Sequence, residues 1–383
     1  MLVECQKTHN ISVLVQVGNL GSSIIDHLLR PVSLAGNVNK VQVFCHHSGP
    51  SIPNVEYHCP PKFMAKSAIT AIIYESIDLF FHTLFNQSVT LAGFLLNPHG
   101  IIAFVVAKLN RKKVIIYLIA GRHELYTNDR NKGSIKDIDF NITLPPWYGK
   151  LFLIILKHTN AIITTGSVTK SFLVKCGLKV NKIHPIISPV NNHRFYHITI
   201  PKIYDVLSVG SLILIKHHEI LLQTIFEVKS LYPHIRVCIV GDGPRKNELI
   251  QLAEKLGISE NIDFVGFQTD VPYYYNSSKI FIHTSETEGL PNVVLEAMMC
   301  GLPCIVSNCG DILDIAKDGY NSLVIQKFDD YRGFANAIYN LLENDELYNN
   351  ICRNALKITE SVSIENVTQQ WELILANNNF AKC

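Results

Sequence analysis

The sequence predicts an α/β protein built from two doubly wound domains. Short apolar runs rich in β-branched residues alternate with helical patterns along most of the chain, which argues for parallel sheets covered by helices. In the first half the runs fall near 12–17 (SVLVQV), 40–45 (KVQVFC), 113–119 (KVIIYLI) and 161–165 (AIITT). The second half repeats the scheme near 205–209, 235–240, 262–265, 279–283 and 303–307. A chain of 383 residues also exceeds what one hydrophobic core usually organises.

The stretch HPIISPVNNHRFYHITIPK (184–202) holds prolines, paired asparagines and no sustained period, and is read as the linker. This divides the chain into a first domain at 1–190 and a second at 200–362. Beyond residue 330 only helical patterns follow. The last, at 363–383, places Ile364, Val367, Trp371 and Ile374 at helical spacing, an apolar stripe that requires a partner surface.

Charge excludes a class of function. Lys plus Arg number 34 against 32 Asp plus Glu, so the electrostatic footprint of a nucleic-acid binder is missing. Ten cysteines are scattered through the chain, and its first decapeptide, MLVECQKTHN, lacks an apolar core. Reduced thiols and a cytoplasmic location are expected, and the sequons at Asn10 and Asn141 then carry no weight. Cys300, Cys304 and Cys309 lack the close pairs of a structural zinc site. The apolar segments 89–109 and 147–165 are interrupted, by Asn97-Pro98-His99-Gly100 and by Lys150, Lys157 and His158. Both are read as core, with a second reading in which Trp147, Tyr148 and Lys150, or the basic run 109–114, meet a lipid surface.

Chemistry concentrates in TSETEGLPNVVLEAMMCGLPCIVSN, where Glu288 and Glu296 stand with seven residues between them. Pro291 and Asn292 mark a helix start and Gly301 with Pro303 its end, so Glu288 lies in a loop and Glu296 within the helix. The turn Gly289-Leu290-Pro291 permits close backbone approach, and the free N–H groups at the helix start, reaching Val293, make an anion seat beyond a strand's carboxyl end. Carboxylates repel phosphate, so the two glutamates suit sugar hydroxyls on either side of it, at about 1.5–3 kcal/mol per charged hydrogen bond. Lys216, in LSVGSLILIKHHEILLQTI, could reach the same anion as a point charge. Gly241 and Gly243 form a glycine turn that fails the dinucleotide spacing, as does VGNLGSS at 17–23.

VGSL with Lys216, VGDGP, IDFVGF and EGLPNVVLEAMMCGLPCIVS, taken together, resemble the retaining glycosyltransferases of family 4. That family uses nucleotide-sugar donors on the GT-B fold. The resemblance implies two Rossmann-like domains facing across a cleft, with the closing helix crossing back to the first. It further implies that Glu288 contacts the transferred sugar, Glu296 the ribose, and Lys216 the diphosphate, with Glu288 and Lys216 as the catalytic pair. Gly210, Ser211, Gly241, Gly243 and the backbone from Gly289 through Leu290, Pro291 and Asn292 to Val293 would line the donor, with Gly266 and Phe267 by the base. Gly18, Gly21 and His123 fall on the acceptor side.

Transfer from a UDP- or GDP-sugar to a glycan or lipid-linked glycan, with retention and with neither metal nor cofactor, is the implied reaction. It would serve polysaccharide or glycoconjugate synthesis, with peripheral contact at the inner membrane face. The sequence departs from the family where Ser211 replaces the usual arginine and His217 the usual glycine. An imidazole at its ordinary pKa is mostly neutral and replaces the arginine only in part. The alternatives are a non-catalytic nucleotide-sugar-binding protein, motivated by Ser211, and a nucleotide-sugar epimerase on the same fold.

Overall fold

The computed structural model describes residues 11–17, 22–125 and 147–377. They form two units: 11–17, 22–125, 147–189 and 362–377 in the first, and 190–361 in the second.

Seven strands make the first sheet: Ile11–Val17 (β1), Val38–Phe44 (β2), Val55–His58 (β3), Val89–Phe94 (β4), Lys113–Leu118 (β5), Ala161–Thr164 (β6) and Ile183–Pro185 (β7). They run parallel in the order β3-β2-β1-β4-β5-β6-β7. The connecting helices are Ser22–Leu34 (α1), Ala68–Phe85 (α2), Ile101–Leu109 (α3), Trp147–Lys157 (α4) and Ser167–Lys175 (α5). The central strands are buried on both faces, as covered parallel strands must be.

Six parallel strands make the second sheet: Tyr204–Val209 (β8), Val237–Val240 (β9), Ile262–Gly266 (β10), Ser278–His283 (β11), Cys304–Ser307 (β12) and Ser322–Ile325 (β13). Their order is β10-β9-β8-β11-β12-β13. The order reverses between β8 and β11, which is where an open α/β sheet holds its ligand. The helices are His218–Lys229 (α6), Lys246–Lys255 (α7), Val271–Asn276 (α8), Asn292–Met299 (α9), Tyr331–Glu343 (α10), Asp345–Ala355 (α11) and Ile358–Ser361 (α12).

The last helix, Ile364–Asn377 (α13), belongs to the first unit. Val367, Trp371, Ile374 and Leu375 are buried in one core with Val13, Val15 and Leu29. The Trp371 ring lies 6.3 Å from that of Tyr117, and Glu372 accepts the Gly36 N–H at 2.5 Å. This is the partner surface the apolar stripe requires.

β3, β4, β7 and β13 were not among the expected strands. β4 is the first part of the apolar segment 89–109, whose other part is α3, and the segment 147–165 likewise divides into α4 and β6. β7 falls inside the span read as linker: His184 and Pro185 pair with Ile163 and Thr164 at the sheet edge, where proline is tolerated. The eight described cysteines are free thiols.

Replacing a buried tryptophan by alanine typically costs 3–5 kcal/mol. Trp371→Ala is therefore expected to destabilise the first unit by about that amount in urea unfolding. A loss below about 1 kcal/mol would contradict the packing described.

Candidate active site

The site lies in the second unit, where the loops after β8, β9, β11 and β12 meet. Hydrogen bonds join them: Gly210 N–H to the Val240 carbonyl (2.9 Å), Leu212 N–H to Asp242 (3.0 Å), Glu286 N–H to Ile215 (3.0 Å) and Asp311 N–H to Gly289 (2.8 Å). The Thr284 hydroxyl donates to the carbonyls of Lys216 and His217 at 3.0 and 3.1 Å. Glycine makes these approaches possible. A Cβ on Gly241 (φ +141°) would stand 1.9 Å from the Gly210 carbonyl oxygen, one on Gly243 2.6 Å from that of Leu212, and one on Gly310 (φ +54°) 2.2 Å from that of Glu288.

This network brings Lys216 and Glu288 into an ion pair, each side chain 17% exposed. Ser285 also donates to Glu288 (3.2 Å) and lies 3.0 Å from His283 Nε2, which is itself 3.6 Å from Glu288. Burial would raise the Glu288 carboxyl, but the Lys216 ammonium, helped by His283, overrides it and holds the group well below the usual carboxylate range. Burial lowers His283, so that imidazole is neutral at pH 7.

His217 requires a correction. It occupies the left-handed region (φ 47°, ψ 47°), which explains why glycine suits the position. Its ring stands against Phe328, with 4.5 Å between centroids. Its Nδ1 lies 2.7 Å from Glu219 and its Nε2 3.1 Å from Glu286. Burial opposes charge on the ring, yet the two carboxylates raise its pKa to about 9, so it is an imidazolium at neutral pH. With both nitrogens on carboxylates it cannot also stand in for an arginine at exposed Ser211.

Glu219 is in turn lowered to about 2, against its own burial, by His217 and by Arg245 at 2.7 Å. Arg245 also bonds Glu248 at 2.5 and 3.0 Å. Lys216 is thus the site cation paired with Glu288.

The second glutamate behaves oppositely. Helix α9 begins at Asn292, with Pro291 the extended residue before it instead of its first turn. The helix ends in a left-handed Gly301, whose N–H bonds Met298 while that of Leu302 bonds Ala297. One turn in, Glu296 accepts the Tyr275 hydroxyl at 2.9 Å, and burial raises its carboxyl to about 7. It is only partly ionised at neutral pH, where the sequence reading took a fully charged acceptor. Phe267, beyond left-handed Gly266, is 77% exposed.

In the first unit His123 is buried in a short turn at Gly121–Leu125. Beside it Glu124 accepts the N–H groups of Leu96 (2.6 Å) and Ala120 (2.7 Å). Gly18 and Gly21 lie outside the described residues. Sequence reasoning missed Glu286, Glu219, Arg245, Tyr275 and Gly310. Glu286 and Glu219 stood unremarked inside TSETEGLP and LILIKHHEI, and Arg245 directly after VGDGP, whereas Tyr275 and Gly310 stood in no motif.

Residues 192–358 match the family model for glycosyl transferases group 1, so the second unit carries a domain of that family. An uncharacterized glycosyltransferase of Haemophilus influenzae is 32% identical over 171 residues, 44% of this chain and 48% of that protein. The amylovoran biosynthesis glycosyltransferase AmsD of Erwinia amylovora is 29% identical over 210 residues, 54% of this chain and 58% of its own length. The chain thus spans about half the length of these relatives. The crystal structure of Anabaena HepE in complex with UDP is similar over 96% of this chain and 100% of that one, with a TM-score of 0.75 at 16% identity. The likeness shows the GT-B fold.

The displaced pKa values predict a pH effect. A histidine raised from 6.5 to about 9 on folding contributes stability that is complete below pH 6.5 and lost as pH rises through 9. The melting temperature of the wild type should therefore fall more between pH 7 and 10 than that of His217→Asn, since asparagine tolerates the left-handed backbone. Parallel curves would refute the charged pair.

Proposed function

We propose that the chain is a retaining, metal-independent glycosyltransferase that passes a sugar from a UDP- or GDP-sugar to a glycan or lipid-linked glycan, in polysaccharide or glycoconjugate synthesis. The observation that carries the reading is the Lys216–Glu288 pair at the reversal point of the second sheet, beside the start of α9. An ammonium has three donors, so Lys216 can keep Glu288 and still meet an oxygen of a leaving diphosphate. The free N–H groups at the start of α9 would share the developing negative charge.

Glu288, kept ionised by Lys216, suits hydroxyls of the transferred sugar. Glu296, one turn into the same helix, suits the ribose, whose hydroxyls can bond either protonation state. Phe267 offers an exposed ring for the base to stack on. In this reading the acceptor attacks from the leaving-group face and the departing phosphate oxygen takes its proton, so no protein nucleophile is required. The matched family and the UDP held by HepE support the donor class, and the AmsD likeness supports polysaccharide synthesis.

Ser211 and the engaged His217 favour one rival, a non-catalytic nucleotide-sugar binder. The test is thermal stabilisation by UDP, GDP, CDP, ADP and their sugars, followed by transfer assays with a chelator present and the product anomer read by NMR. One nucleotide family should stabilise the wild type, by about 2.7 kcal/mol at a hundred times its dissociation constant, and Glu296→Ala should lose the response. Glu288→Ala should bind nucleotide yet transfer roughly a hundredfold more slowly, about the loss of two charged hydrogen bonds. Stabilisation without turnover selects the binder, conversion of donor without acceptor the epimerase, and silence across the panel refutes the donor site.

A further inference from the structure

The first unit carries an apolar surface that its own core leaves open. On α2, Ala71, Glu75, Leu79 and Thr83 face the sheet and are buried. The opposite side presents Ile69, Ile73, Ile77, Phe81, Leu84 and Phe85, each at least half exposed. A surface helix ordinarily keeps its polar residues outside. Here the glutamate is inside and the large apolar groups are out.

Exposed apolar residues also lie on the neighbouring helices of this face. The connections β3 to β4, β4 to β5 and β5 to β6 all advance across the sheet in one direction. Right-handed crossovers therefore set α2, α3 and α4 on one face, and α2 and α3 share a core there. Leu109 on α3 and Trp147, Leu151 and Ile154 on α4 are exposed as well. Exposed apolar surface of this extent on one face marks an interaction site.

Charge identifies the occupant. Lys62 and Lys66 precede α2, Lys108 and Arg111 lie at the end of α3, and Lys150 and Lys157 stand on α4, all exposed. The loop holding Arg111 lies by the last turns of α2, since Lys112 bonds the Gln87 carbonyl at 2.9 Å. The acidic residues of these three helices are Glu75, which is buried, and Asp78, which is half-buried. Two copies meeting through this face would bring their cations together. A negatively charged bilayer would instead receive both the apolar side chains and the basic rim.

We infer that the face formed by α2, α3 and α4 docks the first unit on an anionic lipid surface, with the apolar side of α2 in the headgroup region and the flanking lysines and Arg111 on lipid phosphates. α2 is long and apolar enough to cross a membrane, but its buried side holds it against the sheet, so it lies along the surface. The inference does not rest on the transfer reading, and binding is measured with neither donor nor acceptor present.

The test is co-sedimentation of the full chain with phosphatidylcholine vesicles, with and without phosphatidylglycerol, at low and high salt. Binding to the anionic vesicles should weaken with salt. Ile73→Asp/Ile77→Asp should lower it at least tenfold while circular dichroism and melting temperature hold. Lys108→Glu/Arg111→Glu, which leaves the apolar residues intact, should lower it about thirtyfold, near 1 kcal/mol per cation. Variants that bind like the wild type, binding indifferent to phosphatidylglycerol, or a wild-type dimer that ignores vesicles and is dissolved by Ile77→Asp would each overturn the assignment.

Discussion

The candidate site depends on backbone packed against backbone. The turns after β8, β9, β11 and β12 approach until Gly241, Gly243 and Gly310 have no room for a Cβ, with peptide oxygens 1.9 to 2.6 Å from where it would stand. The hydrogen bonds that join these turns satisfy groups that would otherwise be buried without partners. Because they do, Lys216 on one turn and Glu288 on another meet as an ion pair instead of extending into solvent.

Charge placement follows from that closeness. Buried ions are stable only when paired and hydrogen-bonded, and here they alternate: Lys216 with Glu288, and His217 between Glu219 and Glu286, with Arg245 closing the far side. Two glutamates of one motif are driven apart by their surroundings. Glu288, against an ammonium, is held ionised, and Glu296, with only a tyrosine hydroxyl bonded to it, rises to about 7. One is a fixed charge and the other is poised between its two protonation states at neutral pH.

The parts of this arrangement legible in the sequence are those that residue type and spacing determine. The two-domain α/β organisation followed from alternating periods, and Lys216, Glu288, Glu296 and the glycine turns from their place at strand ends. The partners of His217 were not legible, because Glu219 is two residues away and Glu286 sixty-nine. Only the fold brings both to one ring, and only the ring's surroundings decide its charge. Tyr275 gave no signal, since a tyrosine in VPYYYN reads as surface or core until its hydroxyl is seen to donate to Glu296. Among strands, β3, β7 and β13 escaped because three or four residues such as VEYH show too little alternation to define a period, and β4 because it runs on into α3 as one apolar segment.

The α2 face was obscure for a related reason. Its sequence, AITAIIYESIDLFFHTLF, is apolar on most sides, so periodicity cannot say which side the sheet takes. The fold answers by burying Ala71, Glu75, Leu79 and Thr83, the smaller and more polar stripe, and leaving isoleucines and phenylalanines outside. On the other side of the same sheet, α1 and α13 bury Leu29, Val367 and Trp371 in an ordinary core. The asymmetry therefore belongs to one face and not to a loosely packed domain. An apolar face retained opposite a complete core is explained by a surface it meets, and its basic rim gives that surface a negative charge.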